Sequence, residues 1–139
     1  MKVVSRFFLL AGLVISGCAD SSTGGFVSLG GIRVEPVNAD VFEVGVRPGA
    51  IEANFWCGAG DYARRQMGAP DNARVYVVGG TGPGTVSENP ETAQFSLKPP
   101  QAVQGATGRS GGWGPRLGRS NSVGIARSQC GRHNNDFWS

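Results

Sequence analysis

Three cysteines and one histidine are the residues of this 139-residue chain that could perform covalent or metal chemistry. A cysteine thiolate acts as a nucleophile when a neighbouring histidine serves as its base. Cys57 lies near the start of a predicted helix, and His133, the only histidine, follows Cys130 in a polar segment. The sequence therefore leaves open a cysteine-dependent reaction with Cys57 as nucleophile and His133 as base.

A disulfide between Cys57 and Cys130 is the competing use of the same sulfur atom. If Cys18 is modified, as argued below, the other two cysteines form an even pair, which is typical of proteins in an oxidising compartment. The bridge would close a long loop and contribute about 4 kcal/mol to stability on the loop-entropy estimate. We expect this structural disulfide and no catalytic residue.

A metal site is the remaining chemical alternative, with Cys57, Cys130, His133 and Asp61 as its ligands. Cys130 and His133 have a tolerable ligand spacing, but structural zinc sites normally contain a second close pair of ligands. Cys57 has no such neighbour in the sequence. We predict no metal and no other cofactor.

The first 17 residues have the features of a secretory signal peptide. Lys2 and Arg6 form a positive start, an apolar run follows over residues 7–15, and small residues precede Cys18. The run is shorter than the roughly 20 residues that span a bilayer. Ile15-Ser16-Gly17-Cys18 resembles the lipobox of bacterial lipoproteins, which implies cleavage before Cys18 and its lipidation.

Lipidation implies that the exported protein is held at a membrane by acyl chains, two or three of which anchor a protein stably. Residues 18–25 then form a polar tether. In the lipoprotein family, aspartate directly after the cysteine tends to retain the protein at the inner membrane. Here Ala19 holds that position, so we expect the outer membrane, facing the periplasm. Secretion, or a soluble periplasmic location, is the alternative.

Charge is distributed unevenly along the chain, although the net charge is only +3. Arginines dominate residues 101–139, where Asp136 is the single acid. Exposed aromatics beside cations are typical of binding surfaces. We therefore predict a surface that binds an envelope protein or an anionic envelope component, formed by Trp113, Arg116, Arg119 and Trp138. Without Lys2 and Arg6 the charge is close to balanced, so nucleic acid is not an expected partner.

Hydrophobic periodicity predicts one helix and several short strands. The helix is predicted over residues 54–67, capped by Asn54, with Trp56, Ala59 and Ala63 on its buried face. Glycines inside it either permit close backbone packing or mark a later start. Strands are predicted over residues 26–29, 32–34, 41–46, 74–78, 85–87, 94–97 and 123–126, with a hairpin turn over 79–84 and a glycine-rich loop over 101–122.

These elements predict an α+β fold: a small, mainly antiparallel sheet with one packed helix, forming a single domain over residues 26–139. The segment from Phe55 to Ala63 resembles that of small uncharacterised exported bacterial proteins, over about residues 41–97. We therefore expect a lipid-anchored cell-envelope protein that acts as a non-catalytic binding or structural module.

The alternative function is that of a cysteine-dependent cell-wall hydrolase using Cys57 and His133. Trp56-Cys57-Gly58 resembles the start of the catalytic helix in cysteine peptidases of the bacterial cell wall. That resemblance implies a cysteine at a helix N-terminus with a lowered thiol pKa. The aspartate that precedes the cysteine in that family is Trp56 in this chain.

Overall fold

The computed structural model describes residues 25–134. These residues form one six-stranded antiparallel sheet with strand order β1-β2-β3-β5-β4-β6, and two α-helices. The fold class is α+β, as predicted. In chain order the elements are β1 Phe26–Val27, β2 Arg33–Pro36, β3 Val41–Gly45, α1 Glu52–Arg65, β4 Arg74–Gly82, β5 Thr92–Ser96, a 3-10 turn Pro100–Ala102, β6 Ser120–Ser122, α2 Val123–Ser128 and a 3-10 segment Gln129–Asn134.

The hydrophobic core lies between α1 and one face of the sheet. Phe42 and Val44 of β3 point toward the helix together with Phe95 of β5, as strand alternation requires. The Trp56 ring packs edge-on against Phe95, with 5.3 Å between the ring centroids. Trp56 thus belongs to the buried face of α1 that the sequence predicted.

Helix α1 begins two residues earlier than predicted, because Asn54 is not its N-cap. Ile51 holds the cap position, and Asn54 is the third residue of the helix. The Asn54 Oδ1 accepts a hydrogen bond from the backbone N–H of Ile51 at 2.9 Å. The side chain therefore closes the first turn from inside the helix instead of from its end.

Gly58 and Gly60 allow other elements to approach α1 closely. A Cβ atom on Gly58 would lie 2.7 Å from the Val44 side chain, and one on Gly60 would lie 2.5 Å from the backbone nitrogen of Arg127. Both distances are too short for a real contact. These glycines therefore allow close packing, although they lower the helix propensity of the segment. The alternative prediction, in which the helix starts at Asp61, is wrong.

The predicted strand over residues 123–126 is a helix, α2. Ser122 is its N-cap, and the Ser122 Oγ accepts a hydrogen bond from the backbone N–H of Ile125 at 3.2 Å. Val123 and Ala126 are fully buried. The cap and the packing against Gly60 of α1 override the strand propensity of Val123 and Ile125.

Strand β4 continues through glycines that were predicted to end it. A segment of the glycine-rich loop lies along the edge of β4 beyond its pairing with β6. Gly80 N–H donates to the Arg109 carbonyl at 2.7 Å, and Gly118 N–H donates to the Val77 carbonyl at 2.9 Å. A Cβ atom on Gly80 would lie 2.5 Å from the Gly111 nitrogen. The glycines of β4 therefore make room for the loop instead of forming a turn.

Residues 85–87 form part of the connection between β4 and β5, not a strand. Their polar groups point at Glu43 on the sheet face opposite to α1, as described below. Within residues 25–134, no helix is long and apolar enough to cross a membrane.

Candidate functional site

The sulfur atoms of Cys57 and Cys130 are joined in a disulfide, as predicted, with the two Cα atoms 4.6 Å apart. The bridge fastens the 3-10 segment after α2 to the second turn of α1. Cys57 is 1% exposed. With its sulfur buried and oxidised, Cys57 offers no thiolate for nucleophilic attack. The side chain of His133, its predicted base, lies outside the described residues.

The same bridge removes the sulfur ligands of the alternative metal site. No group of three or more histidine, cysteine, aspartate or glutamate side chains in the described part of the chain could hold a metal ion. Asp61, the fourth ligand considered, is instead bound by two arginines.

Asp61 is a fully buried carboxylate at the junction of three elements. It accepts hydrogen bonds from Arg65 at 2.6 Å, from Arg127 at 3.1 Å and from the backbone N–H of Leu29 at 2.9 Å. Burial alone would raise the pKa of Asp61, but these donors and the positive charge of Arg65 outweigh it and lower the pKa. Asp61 therefore remains charged and ties α1, α2 and the β1–β2 turn together.

Glu43 is a second buried carboxylate, on the sheet face away from α1. Its oxygens accept hydrogen bonds from the Thr85 N–H at 3.0 Å, the Gln94 Nε2 at 3.0 Å and the Ser87 Oγ at 3.3 Å. Burial opposes the charged form, but these hydrogen bonds lower the pKa of Glu43 below its usual value. The cluster holds the β4–β5 connection against the sheet, which is a structural role.

The described lysines and arginines differ in whether their side chains are engaged. One set binds carboxylates, hydroxyls or carbonyls within the protein: Arg64, Arg65, Arg74, Lys98, Arg109 and Arg127. The other set makes no such contact within residues 25–134: Arg33, Arg47, Arg116 and Arg119. The unengaged arginines occur in two places, and both are candidate binding sites.

The first place is the stretch of residues 111–119, called here the Trp113 loop. Trp113 is 40% exposed, and its ring lies 5.5 Å from the buried Phe55 ring of α1. The Trp113 carbonyl accepts a hydrogen bond from the Thr81 Oγ1 at 2.9 Å. Arg116 and Arg119 are exposed on the same loop. The structure thus brings together three of the four predicted surface residues, whereas Trp138 lies outside the described residues.

The second place is a cavity of about 680 Å³ at the end of the sheet where β3 ends. We call it the arginine cleft. It is lined by Arg33, Arg47 and the glycine-rich turns around them, and by Asn54 and Asn89. The full lining is Gly30, Gly31, Ile32, Arg33, Gly45, Val46, Arg47, Pro48, Gly49, Ala50, Asn54 and Asn89.

The arginine cleft could not be recognised from the sequence, because its walls come from separate segments of the chain. Arg33 begins a short strand and Arg47 follows the end of another, and the antiparallel register pairs Arg33 with Gly45. Only that pairing brings the two arginines to one cavity. The sequence feature that could have indicated the cleft is Arg47 directly before the Pro48-Gly49 turn. This pattern is common on protein surfaces, so it does not identify a binding site.

Comparisons with protein-family models, with curated proteins and with solved structures gave no match.

Proposed function

We propose that this protein is an exported, lipid-anchored cell-envelope domain that works by binding and not by catalysis. Cys18 carries the anchor, and the Trp113 loop contacts an envelope protein or an anionic envelope component. The observation that carries the proposal is the pair of unengaged arginines beside an exposed tryptophan on a loop held firmly to β4. Cofactors and catalytic residues have no part in it.

The Trp113 loop supports binding because it is ordered before any partner arrives. It is hydrogen-bonded to β4 through the Trp113 carbonyl and the Gly118 N–H, and the Trp113 ring rests on Phe55. A preorganised surface loses little conformational entropy on association. Arginine and tryptophan are also the residues most enriched among those that dominate binding energy at interfaces.

The position of the loop relative to the proposed anchor agrees with this role. The chain enters the sheet at β1, and the Trp113 loop lies beyond β4, toward the opposite edge. At about 4.8 Å per strand, the edge strands β1 and β6 are about 24 Å apart. An extended segment from Cys18 to Gly25 reaches at most about 25 Å. The loop can therefore face away from the anchoring leaflet.

The anchor is tested by the substitution Cys18→Ala. We expect the variant to lose membrane fractionation and the mass of its acyl chains, as measured by fractionation and intact mass spectrometry. Cys57→Ser is the control for removing a cysteine, and it should stay in the membrane fraction. A wild-type protein that carries no acyl chain would contradict the proposed anchor.

The binding surface is tested with a photo-crosslinking residue at Leu117, which is exposed within the Trp113 loop. The control places the same residue at Asn72, exposed before the start of β4. We expect an envelope component to crosslink at Leu117 but not at Asn72, and the product to be lost in R116A/R119A. Equal crosslinking at both positions would contradict the proposed surface.

The hydrolase alternative makes a different prediction for the thiols. If Cys57 is a nucleophile in the envelope, the unreduced protein must contain a thiol that reacts with iodoacetamide. We expect no alkylation of Cys57 or Cys130 before reduction and alkylation of both after reduction and unfolding. Alkylation of Cys57 in the native protein would favour the hydrolase.

A further inference from the structure

The arginine cleft combines a concave shape with uncompensated positive charge. Neither Arg33 nor Arg47 binds a carboxylate within residues 25–134, and no acidic side chain is among the residues that line the cavity. Its volume of about 680 Å³ falls within the range of about 300–1,000 Å³ that is usual for small-molecule sites. Other arginines of this protein have found acceptors, including Arg65 and Arg127 on the shared Asp61.

The walls of the cleft are fixed by contacts that do not involve the guanidinium groups of the two arginines. Asn89 uses both ends of its amide, since its Nδ2 donates to the Val46 carbonyl at 3.2 Å and its Oδ1 accepts from the Glu91 N–H at 2.9 Å. Gly31 and Gly49 have φ angles of +73° and +85°, which shape the two turns that border the cavity. The guanidinium groups of Arg33 and Arg47 are therefore free to bind a ligand.

A guanidinium group recognises the paired oxygens of phosphate and carboxylate through two parallel hydrogen bonds. Two such groups on one cavity favour a ligand with a compact negative charge. We propose that the arginine cleft is a binding site for a small ligand that carries a phosphate or carboxylate group. None of the residues that line this site belongs to the Trp113 loop.

The oxyanion can belong to a free molecule or to the headgroup of an anionic lipid. The cleft borders the turn between β1 and β2, beside the edge strand through which the chain enters the sheet. With a lipid anchor at Cys18, this end of the molecule can reach the leaflet surface. Binding of a lipid headgroup therefore depends on the proposed anchor at Cys18, whereas binding of a free molecule does not.

The test uses the full mature protein in nanodiscs of zwitterionic lipid, titrated with inorganic phosphate and with glycerol 3-phosphate at low ionic strength. Calorimetry measures the affinity for each ligand. Hydrogen exchange of the backbone amides at residues 30–33 and 45–50 shows whether the ligand binds at the cleft. A second arm omits the free ligand and compares discs with and without phosphatidylglycerol. Slower exchange at the cleft in the first arm identifies a free ligand, and slower exchange only with phosphatidylglycerol identifies the headgroup.

Three variants separate a built site from general surface charge. R33A/R47A should weaken binding at least tenfold. R64A/K98A removes the same charge from two exposed ion pairs elsewhere on the protein and should change binding less than twofold. R33K/R47K keeps the charge but loses the paired hydrogen bonds, so it should fall between wild type and R33A/R47A. The inference is overturned if neither arm shows protection at the cleft, or if R33A/R47A and R64A/K98A weaken binding equally.

Discussion

The Nε of Arg127 donates a hydrogen bond to the Oδ1 of Asp61 at 3.1 Å, across 66 residues of sequence. This contact joins α2 to α1 at a carboxylate that is fully buried. Arg65 binds both oxygens of the same carboxylate, through Nε to Oδ1 at 2.9 Å and through Nη2 to Oδ2 at 2.6 Å. The contact with Arg65 lies within α1, whereas the contact with Arg127 exists only when both helices are in place.

The substitution Asp61→Asn should destabilise the protein, because it removes the negative charge that two arginines share and places an amide NH₂ group among donors. The side chains of Arg65 and Arg127 are 42% and 33% exposed, so water can solvate them and the cost should be about 1–3 kcal/mol, less than for a fully buried pair. Urea denaturation followed by circular dichroism measures the free energy of unfolding. Asp71→Asn is the control, since the Arg64–Asp71 pair is solvent-exposed at 3.6 Å and should contribute less than about 1 kcal/mol.

Replacing both disulfide cysteines, as C57S/C130S, should lower the free energy of unfolding by about 4 kcal/mol, because the bridge closes a loop of 73 residues. The same urea experiment on unreduced and reduced wild-type protein should give a similar difference. If the double variant were as stable as the unreduced wild type, the bridge would not constrain the unfolded chain.

Gly60→Ala should destabilise the contact between α1 and α2, although alanine favours helix formation. The new methyl group would lie 2.5 Å from the Arg127 nitrogen, and overpacking of this kind costs about 1–3 kcal/mol. Thermal unfolding measures the change. Gly112→Ala is the matched control, because a Cβ atom there has no heavy atom within 4 Å. A more stable Gly60→Ala variant would show that α2 can move to accommodate the new methyl group without a loss of stability.

Stability should decrease in acid because of Glu43 and Asp61. Both have folded-state pKa values below their ordinary values of 4.5 and 3.8, since hydrogen bonds to the charged form outweigh burial. A lowered folded-state pKa contributes stability that is fully present above the unfolded pKa and is lost as the pH falls through the folded pKa. The free energy of unfolding, measured by urea titration, should therefore change little above about pH 5 and fall below it.

Glu43→Gln provides the control for this acid dependence. The amide cannot ionise, and its NH₂ group would face the donors of Thr85 and Gln94. The variant should be less stable at neutral pH and should lose less further stability in acid. If its acid dependence matched that of the wild type, Glu43 would not contribute to it.

The elements with strong periodicity were predicted well from the sequence. The buried face of α1, the alternation of Phe42, Glu43 and Val44 in β3, and the Cys57–Cys130 bridge follow from residue spacing and cysteine count. The prediction failed for residues 123–126, because the β-branched Val123 and Ile125 favour a strand locally. Their helix depends on the Ser122 cap and on a contact with Gly60, which is distant in sequence.

The candidate sites were predicted less completely than the fold. Trp113, Arg116 and Arg119 are close in sequence, so their common loop could be recognised from composition. The contact between Asp61 and Arg65 follows from their i, i+4 spacing on a helix, but the burial of Asp61 and its second arginine were not predictable from spacing. The arginine cleft depends on strand register and could not be predicted from either strand alone.

The distance in sequence between Cys57 and Cys130 also sets an order of assembly. A chain that emerges with its N-terminal end first presents β1, β2, β3 and α1 long before α2 appears. Until then Gly60 has no helix against it, Asp61 lacks Arg127, and the Cys57 thiol has no partner within the domain. For the proposed exported protein, we therefore expect an interval before α2 docks in which Cys57 can form disulfides with other thiols, and this interval ends when Cys130, after α2, closes the bridge.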